Sequence, residues 1–160
     1  MSFLKSKSGF TILELALVIA ILGIISAISV PKIGEIITAV QEKAVAERMI
    51  EDLSYLRSLA VSHRDTTWMV VNQAQNQYGL YTGPNAGSRT LLADPQSGEY
   101  FILDLDSAYQ NIFISSVNFG GSSEIAFNWR GRPSSGGSIV LNSSRTITVI
   151  PETGMAYETP

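Results

Sequence analysis

The chain runs through three hydrophobic rhythms. From Leu15 to Val30 no residue is charged, and the only hydroxyl side chains are Ser26 and Ser29. Counted as helix from Phe10 to Val30, this stretch has 21 residues, which at ~1.5 Å per residue spans roughly 31 Å, the thickness of a hydrocarbon core. Pro31 follows and removes one backbone donor, so a bend is expected there. Helical periodicity then resumes from Ile33 to about His63. Val45, Met49, Leu53, Leu56 and Ala60 form an apolar stripe, and Glu42, Lys43, Glu47, Arg48, Glu51 and Asp52 decorate the other face.

After Arg64-Asp65 the period becomes two. Thr67 to Val71 and Gln77 to Tyr81 read as a hairpin closed by the polar stretch Asn72 to Asn76. Further strands are predicted near Arg89 to Ala93, Tyr100 to Leu105, Ile112 to Val117, Glu124 to Trp129, Ser138 to Leu141, Arg145 to Ile150 and Met155 to Tyr157, separated by Gly- and Pro-rich turns. The fold class is therefore α+β: a long N-terminal helix packed on a C-terminal antiparallel β domain of one or two sheets. The segments are residues 1–9, a membrane helix at 10–31, its amphipathic continuation at 32–64 and a β-rich domain at 65–160.

Two features separate the apolar run from a plain anchor. Lys5 and Lys7 precede it, which holds the short N-terminus in the cytoplasm and sends the remainder across the membrane. Glu14 sits inside the run, where an acid costs up to ~2.5–3.5 kcal/mol at the bilayer centre and less near its edge, so a neutralising partner is expected. A secretory signal peptide with a small-residue site at Ala27-Ile28-Ser29 is the plainer alternative, but it leaves Glu14 unexplained.

Lys-Ser-Gly-Phe-Thr-Ile-Leu-Glu and the apolar residues that follow resemble the class III leader of type IV prepilins and type II secretion prepseudopilins. The resemblance implies a pilin-like fold and cleavage by a prepilin peptidase between Gly9 and Phe10, with N-methylation of Phe10. It makes Glu14 the fifth mature residue and puts Pro31 where family members kink the first helix. The physical reading of Glu14 agrees: cleavage gives Phe10 an α-amino group, and a neighbour's Glu14 can pair with it when helices pack with an axial stagger. Such a pair would set register more than strength.

Further along, Asp52 to Ser62, Ile125 to Pro133, Gly136 to Leu141, Arg145 to Val149 and Thr153-Gly154-Met155 are similar in order to the GspH/FimT-type proteins, the H-type minor pseudopilins and their pilus relatives. That resemblance implies a non-enzymatic filament subunit. Its expected partners are other minor and major pseudopilins and an inner-membrane assembly platform. It would reside in the inner membrane with its C-terminal domain in the periplasm. A minor type IV pilin acting in pilus initiation, adhesion or DNA uptake shares every N-terminal feature. A tethered ligand-binding domain that never polymerises is the third reading.

Composition narrows the chemistry. The chain has 11 basic and 14 acidic residues and no cysteine, which argues against general nucleic-acid binding and excludes thiol chemistry. His63 is the single histidine, placed at a helix C-terminus where a cation suits the dipole, so no histidine pair or relay can form. Asp104 and Asp106 share a strand face at period two, too few ligands for calcium, and read as a solvated surface. Arg130 and Arg132 flank Gly131 beside Trp129, an arrangement able to contact phosphate. DNA-binding relatives are known among the FimT-type proteins, but Met155 to Pro160 lacks the basic C-terminal region they use. The expectation here is a subunit contact or plain loop solubility. No cofactor or metal is expected.

Overall fold

The structure is a computed structural model that describes residues 9–94 and 98–159, without the side chains of residues 28–33. It divides into two compact units, residues 1–37 and 38–160. The first unit holds the N-terminal part of helix α1 (Ile12–His63), whose backbone is helical through Pro31 and Gly34. Thr11 starts this helix: its hydroxyl accepts the Glu14 N–H at 3.2 Å, and its carbonyl accepts the Leu15 N–H at 3.1 Å. Every described side chain from Ile12 to Ala27 is exposed, because among the described residues of this unit no second element covers the helix. Among the described residues no helix is long and apolar enough to cross a membrane. The described side chains of the run stop at Ala27, fewer than the ~18 residues a span requires, and the remainder of the expected span lies outside them.

In the second unit the predicted stripe holds. Val45, Met49, Leu53, Leu56 and Ala60 are all fully buried. They share one core with residues of two antiparallel sheets. In the first sheet β1 (Thr67–Asn72) pairs with β2 (Gln77–Thr82), matching Met69 with Leu80 and Val71 with Tyr78. The turn between them is a 3₁₀ segment at Gln73–Gln75, capped by Asn72 and closed by Asn76 in the left-handed region at φ 48°. β3 (Thr90–Leu91) and β4 (Ile102–Asp104) lie along the far side of β2, and β6 (Glu124–Phe127) lies along the free side of β1. The second sheet runs β5 (Ile114–Asn118), β7 (Gly137–Leu141), β8 (Arg145–Val149) and β9 (Ala156–Thr159). Its buried rows come from strict alternation: Ile139 and Leu141 face inward on β7, Ile147 and Val149 on β8.

Several expectations are corrected. Tyr100 to Leu105 does not stay a strand, because Asp104 caps a short helix α2 (Leu105–Ala108). The Asp104 carboxylate accepts the N–H groups of Asp106 and Ser107, and Leu105 turns fully into the core. Asp104 and Asp106 therefore share no strand face; Asp106 instead accepts a 2.6 Å bond from the Asn76 amide. The strand predicted to reach Trp129 stops at Phe127, since the Asn128 side chain accepts the N–H groups of Arg130 and Arg132 and folds the chain into a loop. Glu42 and Asp52 leave the solvated helix face and are buried.

Candidate functional site

At the N-terminal end, Gly9 and Phe10 precede the helix and are exposed, Phe10 at 80%. Thr11 is the cap and Glu14 the third helical residue, the spacing of a capping box. This signal was present in the sequence as Thr-x-x-Glu. The cap fixes Glu14 in the first turn, where the helix dipole favours a negative charge. Among the described residues its carboxylate forms no ion pair. The Glu14 carboxylate, with no ion pair among the described residues, therefore stands among exposed Ile12, Leu13, Leu15 and Leu17. Such a continuous apolar surface calls for cover by lipid or by other helices.

In the second unit, burial raises the pKa of the Asp52 carboxyl above the usual carboxylate range, and hydrogen bonds offset part of that rise. The Tyr78 hydroxyl donates to it at 2.6 Å, and the Arg48 guanidinium lies at 3.3 Å. Burial and the adjacent carboxylate push the Tyr78 hydroxyl well up, so it stays a donor. These groups line a cleft of about 180 Å³ with Tyr100, Phe101 and Ile102. Asp52 is already held there by Tyr78 and Arg48, and the carboxylates of Asp94 and Glu99 also line the cleft. A second buried ionic group ties α1 to the second sheet: the Glu42 carboxylate accepts from the Ser144 hydroxyl at 2.7 Å and lies 3.8 Å from Arg145 Nε. Arg145 also bonds Glu158 on β9.

Arg130 and Arg132 are both exposed, in the loop that Asn128 organises. The Arg130 guanidinium lies 4.4 Å from the centre of the Trp129 ring. Between the two arginines Gly131 adopts φ +74°, and a side-chain carbon there would stand 3.1 Å from Val61 and 3.3 Å from Arg57. The loop thus rests on the end of α1, a contact that sequence spacing does not reveal. His63 is the last residue of that helix and is exposed. Among the described residues no three potential metal ligands gather.

Comparison with known proteins decides the family. Residues 4–30 match the prokaryotic N-terminal methylation motif, and residues 45–153, more than half of the chain, match the family described as type II transport protein GspH. The chain belongs to the GspH family. It is thereby a member of the type IV pilin and pseudopilin superfamily. A relative at 26% identity is PilA4, the major component of the type IV wide pilus of Thermus thermophilus. The alignment covers 61% of this chain and 88% of that protein. The fold is similar to the minor pseudopilin EpsH of the Vibrio cholerae type 2 secretion system, with a TM-score of 0.58 at 8% identity over 73% of this chain and 94% of the other. It is also similar to the type IV minor pilin FimU of Pseudomonas aeruginosa, with a TM-score of 0.54 at 15% identity, covering 77% and 91%.

The matched regions of this GspH-family chain correspond to its two units. The methylation motif contains Gly9, Phe10 and Glu14, and the GspH match begins at Val45, the first residue of the buried stripe. The sequence reading missed the buried pairs of Asp52 and Glu42, because each depends on a partner from a distant strand.

Proposed function

We propose that this chain is a minor pseudopilin, a structural subunit of the periplasmic pseudopilus of a type II secretion system that drives protein export. The observation that carries this reading is the GspH match over residues 45–153, and the EpsH-like fold supports it. In the proposed sequence of events a prepilin peptidase cuts between Gly9 and Phe10 and methylates Phe10. The apolar part of α1, to Pro31, holds the mature protein in the inner membrane with the β domain in the periplasm. An inner-membrane assembly platform then moves it into a filament with other minor and major pseudopilins. There Glu14, held in the first turn by the Thr11 cap, accepts the amine of an adjacent subunit. Each charge would be costly alone in hydrocarbon, so only the staggered register that joins them is tolerated.

A second reading, a minor type IV pilin in pilus initiation, adhesion or DNA uptake, draws on the FimU-like fold and the 26% identical pilus relative. One pair of experiments tests both. Glu14→Ala in the native host should leave the protein shortened at Phe10, by mass spectrometry, yet deplete it from sheared filaments; normal incorporation overturns the role given to Glu14. Deleting the gene should reduce secretion and spare surface pili; the reverse outcome selects the pilus reading.

A further inference from the structure

The charges of the second unit are distributed unevenly. Lys43 pairs with Glu47, Arg48 with Asp52, Arg89 with Glu124, and Arg145 with Glu42 and Glu158. Four arginines form no ion pair among the described residues: Arg57, Arg64, Arg130 and Arg132. All four belong to one end of the domain. Arg57 stands four residues before Val61, the spacing of one helical face, and Arg64 directly follows the last helical residue, with its backbone in the left-handed region at φ 53°. Arg130 and Arg132 flank Gly131, whose backbone rests against Val61 and Arg57. The nearest acid in sequence, Asp65, is engaged by the Thr66 N–H at 2.7 Å and the Thr82 hydroxyl at 3.4 Å. Val61 and Trp129 are each about half exposed within this basic surface.

Gathered like charges repel, and no ion pair among the described residues offsets them. Arginine and tryptophan at the centre of an exposed patch are the residue types that dominate protein-protein contacts. We propose that this end of the domain, built from Arg57, Val61, Arg64 and the Trp129–Arg132 loop, docks a carboxylate-rich face of a neighbouring pilin-like subunit. The proposal deepens the subunit reading and rests on it. A protein partner fits better than nucleic acid for two reasons. The chain carries a net charge of −3, which opposes a polyanion at long range. The Arg130 guanidinium also already covers one face of the Trp129 ring, leaving less of it for base stacking.

The test uses the full-length chain in its native host with a photo-crosslinking amino acid at exposed Ser58, beside Arg57 and Val61. Crosslinked peptides are sequenced from sheared filaments and from membranes, with and without nuclease. The expected product joins position 58 to an acidic segment of a pilin-like subunit. Its yield should fall about tenfold or more in R57E/R130E/R132E and persist in R57K/R130K/R132K; ~1.4 kcal/mol of lost interaction gives such a factor. Partner Asp or Glu changed to Lys should restore the triple Glu variant. A crosslink indifferent to charge reversal, a nuclease-sensitive adduct, or no adduct at all overturns the proposal. The subunit reading fails separately, if the unmodified protein never enters the filament; an arginine-dependent adduct found only in membranes would then retain the docking face and remove the filament.

Discussion

Asp52 shows how one residue escapes a periodic reading. It directly precedes Leu53 of the buried stripe, and counting by turns placed it on the solvated face. The structure buries it instead because the Tyr78 hydroxyl, on a strand 26 positions away, reaches its carboxylate at 2.6 Å. No pattern within the helix contains that information. The folded state binds the Asp52 proton more tightly than the unfolded chain does, since burial raises its pKa. Ionisation of this group therefore costs stability as the pH rises from the ordinary carboxylate range through its raised folded-state pKa. The Tyr78 bond offsets part of it. Tyr78→Phe should lose about 1–3 kcal/mol at pH 7 and distinctly less near pH 4, where Asp52 takes up its proton. Urea unfolding at the two pH values measures this, and equal losses at both would contradict the assignment. The capping Thr11 and Glu14 make a different case: the Thr-x-x-Glu signal is wholly local, but the sequence reading passed over it and counted the helix from Phe10, two residues before its start at Ile12.

At the scale of elements, β1 and β2 were legible almost to the residue, β1 from its alternation and β2 with three consecutive buried residues at its centre. Strand boundaries failed where a side chain competed with the sheet. Asp104 took the N–H groups of Asp106 and Ser107 and started α2, a helix too short to display a period. Asn128 ended β6 in the same way. Glycine was misjudged too, since Gly137 lies within β7 and not in the separating loop. A side-chain carbon at Gly137 would stand 2.1 Å from the Asn118 carbonyl oxygen and 2.6 Å from Phe119 Cα, so only hydrogen lets β7 approach β5 there. Gly137→Ala should destabilise the protein by more than ~2 kcal/mol. At Gly87 the nearest atom stands 3.5 Å away, and alanine there should change stability by less than ~0.5 kcal/mol. Thermal melts of the two variants check the contrast; similar shifts would refute it.

For the whole molecule, the sequence reading expects one helix serving two environments, and the structure divides into two units, Met1–Ile37 and Thr38–Pro160. The buried stripe begins at Val45, and all core residues of both sheets follow it. A fragment from Thr38 to Pro160 is thus expected to fold alone, with one cooperative melting transition at nearly the temperature of the full chain in detergent. Circular dichroism would decide, and a non-cooperative melt would show that the first unit contributes to the core. What the sequence hid at this scale was strand order, because pairing between distant segments leaves no local trace.

The register of β1 against β6 joins Thr67 to Phe127, whereas β1 with β2 and β7 with β8 are neighbours along the chain. Short hairpins close on the microsecond scale, but a long loop forfeits chain entropy before any contact rewards it. Completing the first sheet is in this way the kinetic bottleneck built into the topology: a newly made chain exposes the bare rim of β1 until β6 arrives, and in that interval it is most open to mispairing.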